Sequence, residues 1–382
     1  MKHKKLFITA TVIFTVIVFL SIFITIWFWG DKYKNFNDFR MEFEIPGLDE
    51  GACPQGMGNF KGEYDVKDEN GNPVLDENGK QKTAYQEYFF ISAYMKEGAS
   101  RIYVMGDDTV FVAKTGSSAK DNIAYDLIKA AENNGEIKFT ASFAANCNAS
   151  FCYFYNDDGD ASNSSYYNDR LYVGEFYRDG NYPTAQKHHV TTNNGDKNTA
   201  FVYEYRISTL STNKYGLETL SSSDSVPEKS RVPKIQNIFS ITDEIQGFAR
   251  TKTGLTLSQS YGLKNSNILY YEWSEILKTA NSKYYKDFKY TDADGNEKSY
   301  GGFEYADAPL NSGANYRDTD LRVYFVDNAV KRNSYSIPSM SEGLCVKGDR
   351  VYVLFESAAY KYRPFVRQVL KNVYSIVPKA KA

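Results

Sequence analysis

Three short motifs set a polar side chain directly before a glycine: Gln55-Gly56, Gln246-Gly247 and Glu342-Gly343. A fourth, degenerate copy reads Ala149-Ser150. Each leads into a second β-rich stretch carrying its own polar residue, which aligns Ser92, Glu175, Gln259 and Glu356 in one column. Lys114 joins that column from a fifth such stretch. Equivalent positions of a repeated unit converge when the units close into a ring. The set Gln55, Ser92, Lys114, Glu175, Gln246, Gln259, Glu342 and Glu356 would then gather at one mouth of a central channel and bind a small ligand or a cation. The plain alternative is that these side chains cap strand ends and hold water. Tyr94, Tyr177 and Tyr261 follow the second column and would form an aromatic rim.

Other chemistry has little raw material. Only three histidines are present (His3, His188 and His189), too few for a histidine-rich zinc site, and a Ser-His-Asp hydrolase has almost no material. The His188-His189 pair lies in a polar loop and reads as solvated. Arg178 and Lys187 flank it and would suit an anionic ligand. Calcium loops of the helix-loop-helix type need Asp twice over before the glycine. Asp68-Glu69-Asn70-Gly71, Asn156-Asp157-Asp158-Gly159 and Asp292-Ala293-Asp294-Gly295 all lack the first acid, so they read as tight turns. No residue is assigned a catalytic role.

The elements that must position the column are strands. Tyr (32) and Phe (25) are abundant against 10 Pro, which favours sheet. First strands begin at the four motifs, and second strands run 89–94, 171–177, 255–261 and 351–357. Third strands follow at 100–104, 200–205, 267–271 and 372–376, and fourth strands at 237–241 and 334–338. Four short antiparallel strands per unit make a propeller blade, which buries its faces only against neighbouring blades. Residues 41–46 resemble a fourth strand while the chain ends on a third, so the N-terminal strand should complete the last blade and remove its open edge. A further blade is read at 109–140, giving five blades, with six possible. A β-sandwich of ordinary hairpins is the competing architecture. Glycines and serine behind the motifs (Gly56, Ser150, Gly247, Gly343) suit inner strands crowded at an axis. Insertions at 64–82, 157–168, 181–198, 210–233 and 275–318 decorate the ring, the first with Asn-Gly turns at Gly71 and Gly79.

The segment from Leu6 to Gly30 holds no charge over 25 residues, enough to span a bilayer with some tilt. Lys2, Lys4 and Lys5 precede it and keep residues 1–5 cytoplasmic; Trp27 and Trp29 suit the far interface. The run is longer than a signal-peptide core and is followed by bulky aromatics rather than a small-residue cleavage site. The expectation is a single-pass, uncleaved anchor in the cell membrane. A stalk at 31–40 and an extracytoplasmic domain at 41–382 follow it. Charge is nearly balanced, 45 Lys+Arg against 47 Asp+Glu, which argues against nucleic acid as a partner. Cys53, Cys147, Cys152 and Cys345 lie in a compartment that permits disulfides but contain no CxxC, so bridges and free thiols both remain open.

The Gln/Glu-Gly starts resemble those of six-bladed propellers of the gluconolactonase and strictosidine synthase type, and of exported bacterial propellers of unassigned function. The resemblance implies a Glu at a first-strand start that helps hold a divalent metal, a place Glu342 matches; the companion Asn and Asp have no counterpart, since Gln55 and Gln246 stand there. Two functions follow as expectations. One is a tethered propeller that binds a small molecule, glycan or envelope protein, with no cofactor. The other is a metal-dependent hydrolase or lactonase using Glu342 with Glu175 or Glu356.

Overall fold

The structure is a computed structural model. It describes residues 11–21, 36–68, 70–97, 101–105, 110–114, 125–128, 140–143, 149–155, 170–184, 188–192, 194–206, 235–279, 289–291, 297–299 and 322–381. It is an all-β propeller of four blades, each named here by its inner strand. Blade 1 runs outward from Ala52–Asp65 through Thr83–Met95 and Arg101–Met105 to Val110–Lys114. Blade 2 starts at Ala149–Tyr155 and continues through Arg170–Glu175, Ala200–Arg206 and Ile235–Ile241. A fifth strand, Arg322–Phe325, adds to its outer edge in parallel. Blade 3 comprises Ile245–Arg250, Gly254–Gln259, Ser266–Glu272 and Lys331–Ile337. Blade 4 comprises Ser341–Lys347, Arg350–Phe355, Asn372–Ile376 and the N-terminal Arg40–Glu44.

The expected closure is present. Arg40 pairs with Ser375 and Met41 with Tyr374, so the chain's first strand edges the blade that its last strand enters. Phe36 supports the joint, its ring 4.8 Å from that of Tyr374, and Phe39 sits edge-on to Tyr335 in the neighbouring blade. The four inner strands contact one another in the cyclic order 1, 2, 3, 4 and back to 1.

Blade number is corrected from five to four. Val110–Lys114 hydrogen-bonds antiparallel to Arg101–Met105, with Arg101 opposite Lys114. It is therefore the outer strand of blade 1 and not the start of a further blade. The described strands beyond it, Tyr125–Ile128 and Thr140–Phe143, pair only with each other. Lys114 thus leaves the second-strand column.

Apolar alternation explains the packing. Inner-face residues of adjacent blades interlock: Met57, Phe89 and Ile91 of blade 1 meet Cys345, Tyr352 and Leu354 of blade 4. A larger cluster joins blades 2, 3 and 4 through Tyr172, Phe239, Phe248, Leu257 and Val353. Each such aromatic or aliphatic side chain stabilises the ring by roughly 1.5–3 kcal/mol on full burial. At the axis the inner strands approach too closely for side chains. A Cβ on Gly343 would lie 2.5 Å from the Met57 nitrogen, and one on Gly247 would lie 2.5 Å from the Glu342 carbonyl oxygen. The crowding expected behind the motifs is therefore real at blades 1, 3 and 4.

The 64–82 insertion is a hairpin extension of blade 1 whose tip is held by Asp68 and Asp76. Asp68 accepts from the Asn70 and Asn72 amides at 2.9 and 2.8 Å, and Asp76 from those of Asn78 and Lys80. These carboxylates serve turns, as their spacing predicts. Loops 157–168 and 210–233, Lys187, Cys147, and the Asp-Gly turns at Gly159 and Gly295 lie outside the described residues. So do residues 6–10 and 22–30 of the apolar segment. Residues 11–21 are helical with every residue exposed. Among the described residues no helix is long and apolar enough to cross a membrane.

Candidate functional site at the channel mouth

Each of the four motifs forms a β-bulge. The inner-to-second-strand register slips between Pro54 and Gly56, Ala149 and Phe151, Ile245 and Gly247, and Ser341 and Leu344. A bulge leaves one residue unpaired and re-aims its side chain. The bulged residues are Gln55, Ser150, Gln246 and Glu342. Ser150, rather than Ala149, is therefore the blade 2 counterpart of Gln55.

The second column does not hold in register: the residues opposite the one before each bulge are Ala93, Glu175, Gln259 and Phe355. Glu175 lies opposite Ala149 and Gln259 opposite Ile245, but Ser92 lies opposite Gly56 and Glu356 follows Phe355, the partner of Ser341. Because side chains alternate along a strand, one-residue offsets send these groups to different places. Ser92 hydrogen-bonds the Gly56 amide at 3.1 Å. Glu175 is consumed within blade 2: it accepts from the Phe201 amide at 3.0 Å and the Tyr203 hydroxyl at 3.2 Å, and its other neighbour is His188 Nδ1 at 2.9 Å. Gln259 donates to Asp243. Neither the solvated reading of His188 nor the channel reading of Glu175 survives. His188 is buried and stacks on Phe201, because a loop histidine meets an aromatic face and a carboxylate that only the folded blade brings together.

Gln55, Gln246, Glu342 and Glu356 do converge. Gln246 Nε2 donates to Glu342 Oε1 at 3.1 Å, across the boundary between blades 3 and 4. The Tyr94 hydroxyl donates to Glu356 Oε1 at 2.9 Å, across that between blades 1 and 4. Gln55 and Tyr362 lie close enough to Glu356 to favour its ionised form, while the Gln55 carboxamide donates to the Pro54 carbonyl at 3.0 Å. Both carboxyls are nearly inaccessible, 4% exposed for Glu342 and 3% for Glu356. Burial pushes Glu356 up to about 8, against the pull of Gln55 and Tyr362. Burial and then the charge of Glu356 hold Glu342 well above the usual carboxylate range, with Gln246 acting the other way. Two buried acids within each other's field cannot both ionise cheaply. The free thiol of Cys53 lies in the same field, pushed up to about 11 by burial and by Glu356.

The segment following Glu356 lies across the mouth. Its turns expose Tyr360 and Phe365, while Ala358 and Ala359 are buried. Arg363 ties it to the Leu48 carbonyl at 3.4 Å. Lys361 projects from it, its ammonium 3.7 Å from Glu356 Oε1 and 4.4 and 4.3 Å from the Tyr94 and Tyr362 ring centres. Burial lowers the pKa of that ammonium. Sequence reasoning missed Lys361 and Tyr362 because they lie between the strands that carry the repeat. Of the expected aromatic rim, only Tyr94 joins the acids. Tyr177 packs against His189, and Tyr261 takes the Arg178 guanidinium at 3.6 Å from its ring centre. Arg178 is thereby committed, since it also lies 3.5 Å from Glu244.

The donor set does not suit a resident divalent cation. Two carboxyls flanked by two carboxamides make a shell poorer in carboxylate than such ions usually take. Among the described residues no group of three or more His, Cys, Asp or Glu is placed to hold a metal. What the mouth offers is a cation site: two ionisable acids beneath two tyrosine faces, with an ammonium already seated there.

No protein-family profile matches the chain, and no curated protein matches it in sequence. The likeness to gluconolactonase-type proteins is one of propeller architecture, with four blades in place of their six.

Proposed function

We propose that this chain is a membrane-tethered, extracytoplasmic binding protein whose four-bladed propeller takes a small organic cation at its channel mouth. The observation that carries this reading is the seat of Lys361 above Glu356 and between Tyr94 and Tyr362. An ammonium ligand that displaced it would gain the same Glu356 oxygen as acceptor and the same ring faces. The tether rests on the uncharged run from Leu6 to Gly30 and on the exposure of Val12, Ile13, Phe14, Val16, Ile17, Phe19 and Leu20, apolar side chains that the propeller does not cover. A binding role fits the site better than metal-dependent hydrolysis, since Glu175 is spent on its own blade and the mouth offers no metal shell.

The test is titration of the full-length chain with methylammonium and tetramethylammonium chloride, followed by calorimetry. Saturable binding is expected, several-fold tighter in Lys361→Met, where the competing ammonium is gone, and at least tenfold weaker in Glu356→Gln. Equal behaviour of all three chains, or no binding to any, would overturn it.

A further inference from the structure

The loop between the second and third strands of blade 4, residues 357–371, has two unlike sides. Ala358, Ala359, Val366 and Leu370 are buried against the ring. Tyr360, Phe365 and Val369 face outward, 56%, 60% and 40% exposed. The loop is not slack. The Tyr362 and Phe365 amides donate to the Ala359 and Tyr362 carbonyls at 3.0 and 2.8 Å, and the Leu370 amide donates to the Ser357 hydroxyl at 3.1 Å. Fixed turns therefore hold three large apolar side chains in water along one short stretch, where covering them would be favourable.

The charge of the loop is one-sided. It carries Lys361, Arg363, Arg367 and Lys371 and no acid. Lys96 of blade 1 adds its ammonium 4.2 Å from the Tyr360 ring centre. Glu356 and Asp49, from outside the loop, meet Lys361 and Arg363 at 3.7 and 3.6 Å. Basic residues interleaved with exposed aromatics suit an anionic bilayer surface. Headgroup phosphates take the charges, and the rings enter the boundary between headgroups and acyl chains.

Position favours that occupant over a soluble one. The apolar run ends at Gly30, and Phe36 lies six residues on. Six residues reach about 20 Å at most. The Phe36 ring lies 6.1 Å from that of Phe355, whose neighbour Glu356 leads into the loop. It also packs against the cluster that holds Leu370, at the loop's other end. The stalk thus joins the propeller where the loop begins. A surface tethered so near its partner docks at high effective concentration, so contacts too weak to hold the propeller alone suffice.

We infer that loop 357–371 docks on the anionic leaflet of the membrane that carries the anchor, through Tyr360, Phe365 and Val369. Because this loop lies across the channel mouth, docking turns the mouth toward the headgroups. The inference rests on the tether proposed above.

The test places the full-length chain, one copy per nanodisc, in phosphatidylcholine discs with and without phosphatidylglycerol, all with brominated acyl chains. Retention on the disc through size exclusion reports the tether. Tryptophan quenching in Phe365→Trp, less the wild-type signal, reports docking, and Tyr360→Trp is a second probe should the first misfold. Leu75→Trp is the comparator, since Leu75 is exposed at the end of blade 1 remote from the mouth. The loop probe should be quenched roughly threefold more than the comparator in discs with phosphatidylglycerol. About half of that excess or more should vanish without the anionic lipid, or in Lys371→Glu. A retained chain whose loop and comparator probes quench alike, or whose loop quenching ignores anionic lipid, overturns docking and leaves the tether standing. The same result would follow if a second copy covers the loop, because each disc holds one. A chain that leaves the disc overturns both.

Discussion

Gln246 Nε2 lies 3.1 Å from Glu342 Oε1, and the two residues belong to different blades. Both are bulged residues of equivalent inner strands, so the same backbone irregularity that repeats around the ring aims a carboxamide of one blade at a carboxyl of the next. The channel mouth is built from such meetings, and several consequences are measurable.

The acids set a pH dependence. Glu356 is raised from 4.5 to about 8 when folded, so between these values the native chain binds more protons than the unfolded one. Stability from this group is full below about 4.5 and is lost as pH rises through about 8. The melting midpoint should fall across that window, with a slope of up to about 1.4 kcal/mol per pH unit from this residue. Glu356→Gln should flatten the curve. A midpoint that rises with pH over the same range in wild type, and not in the variant, would contradict the burial argument.

Ring closure depends on the first strand. Phe39 is buried, and Met41 pairs with Tyr374. Phe39→Ala should cost about 3–5 kcal/mol in denaturant unfolding. A chain beginning at residue 36 should melt like the complete one, whereas a chain beginning at residue 46 should aggregate or melt far lower, because it leaves Asn372–Ile376 as an open edge.

Inner-strand crowding makes Gly343 intolerant. An alanine there would press its Cβ against the Met57 nitrogen, a backbone atom that cannot step aside. Gly343→Ala should destabilise by about 1–3 kcal/mol, read from the urea midpoint. An unchanged midpoint would mean that blades 4 and 1 lie further apart than described.

Between blades 2 and 3, Glu204 is 4% exposed and bound to Arg170 at 3.2 Å, Asn237 at 2.9 Å and Arg250 at 3.7 Å. Removing one member strands the others in a low-dielectric site. Glu204→Ala should therefore cost about 3–5 kcal/mol. A loss below about 1 kcal/mol in calorimetric unfolding would place these charges in water instead.

The tether predicts fractionation. The complete chain should sediment with membranes and stay there through high-salt and carbonate washes, while deletion of residues 6–30 should release it. Release of the complete chain by salt alone would mean that the apolar run does not span.

Much of the fold was legible in the residues. Tyr- and Phe-rich runs separated by turn residues marked the strands, and the Gln/Glu-Gly motifs located three inner strands and part of the fourth. Residues 41–46 announced the closure, because local alternation and composition carry strand identity. Two of the three predicted glutamates, Glu342 and Glu356, and two of the three predicted glutamines, Gln55 and Gln246, also lie together, whereas Glu175 and Gln259 do not. The remainder depended on pairing over long distances. Val110–Lys114 has the composition of any strand, and only its hydrogen bonds to Arg101–Met105 make it the outer edge of blade 1 and the ring four-bladed. Every blade carries the same bulge, but Glu175 stands opposite the residue before it and Glu356 one place further along, and because side chains alternate with a period of two that single step separates Glu356 at the mouth from Glu175 inside its blade. His188 is buried and Lys361 caps the acids for a like reason: their partners arrive from other strands. Residue types set what chemistry was available, and the closing of the sheet set which groups could reach one another.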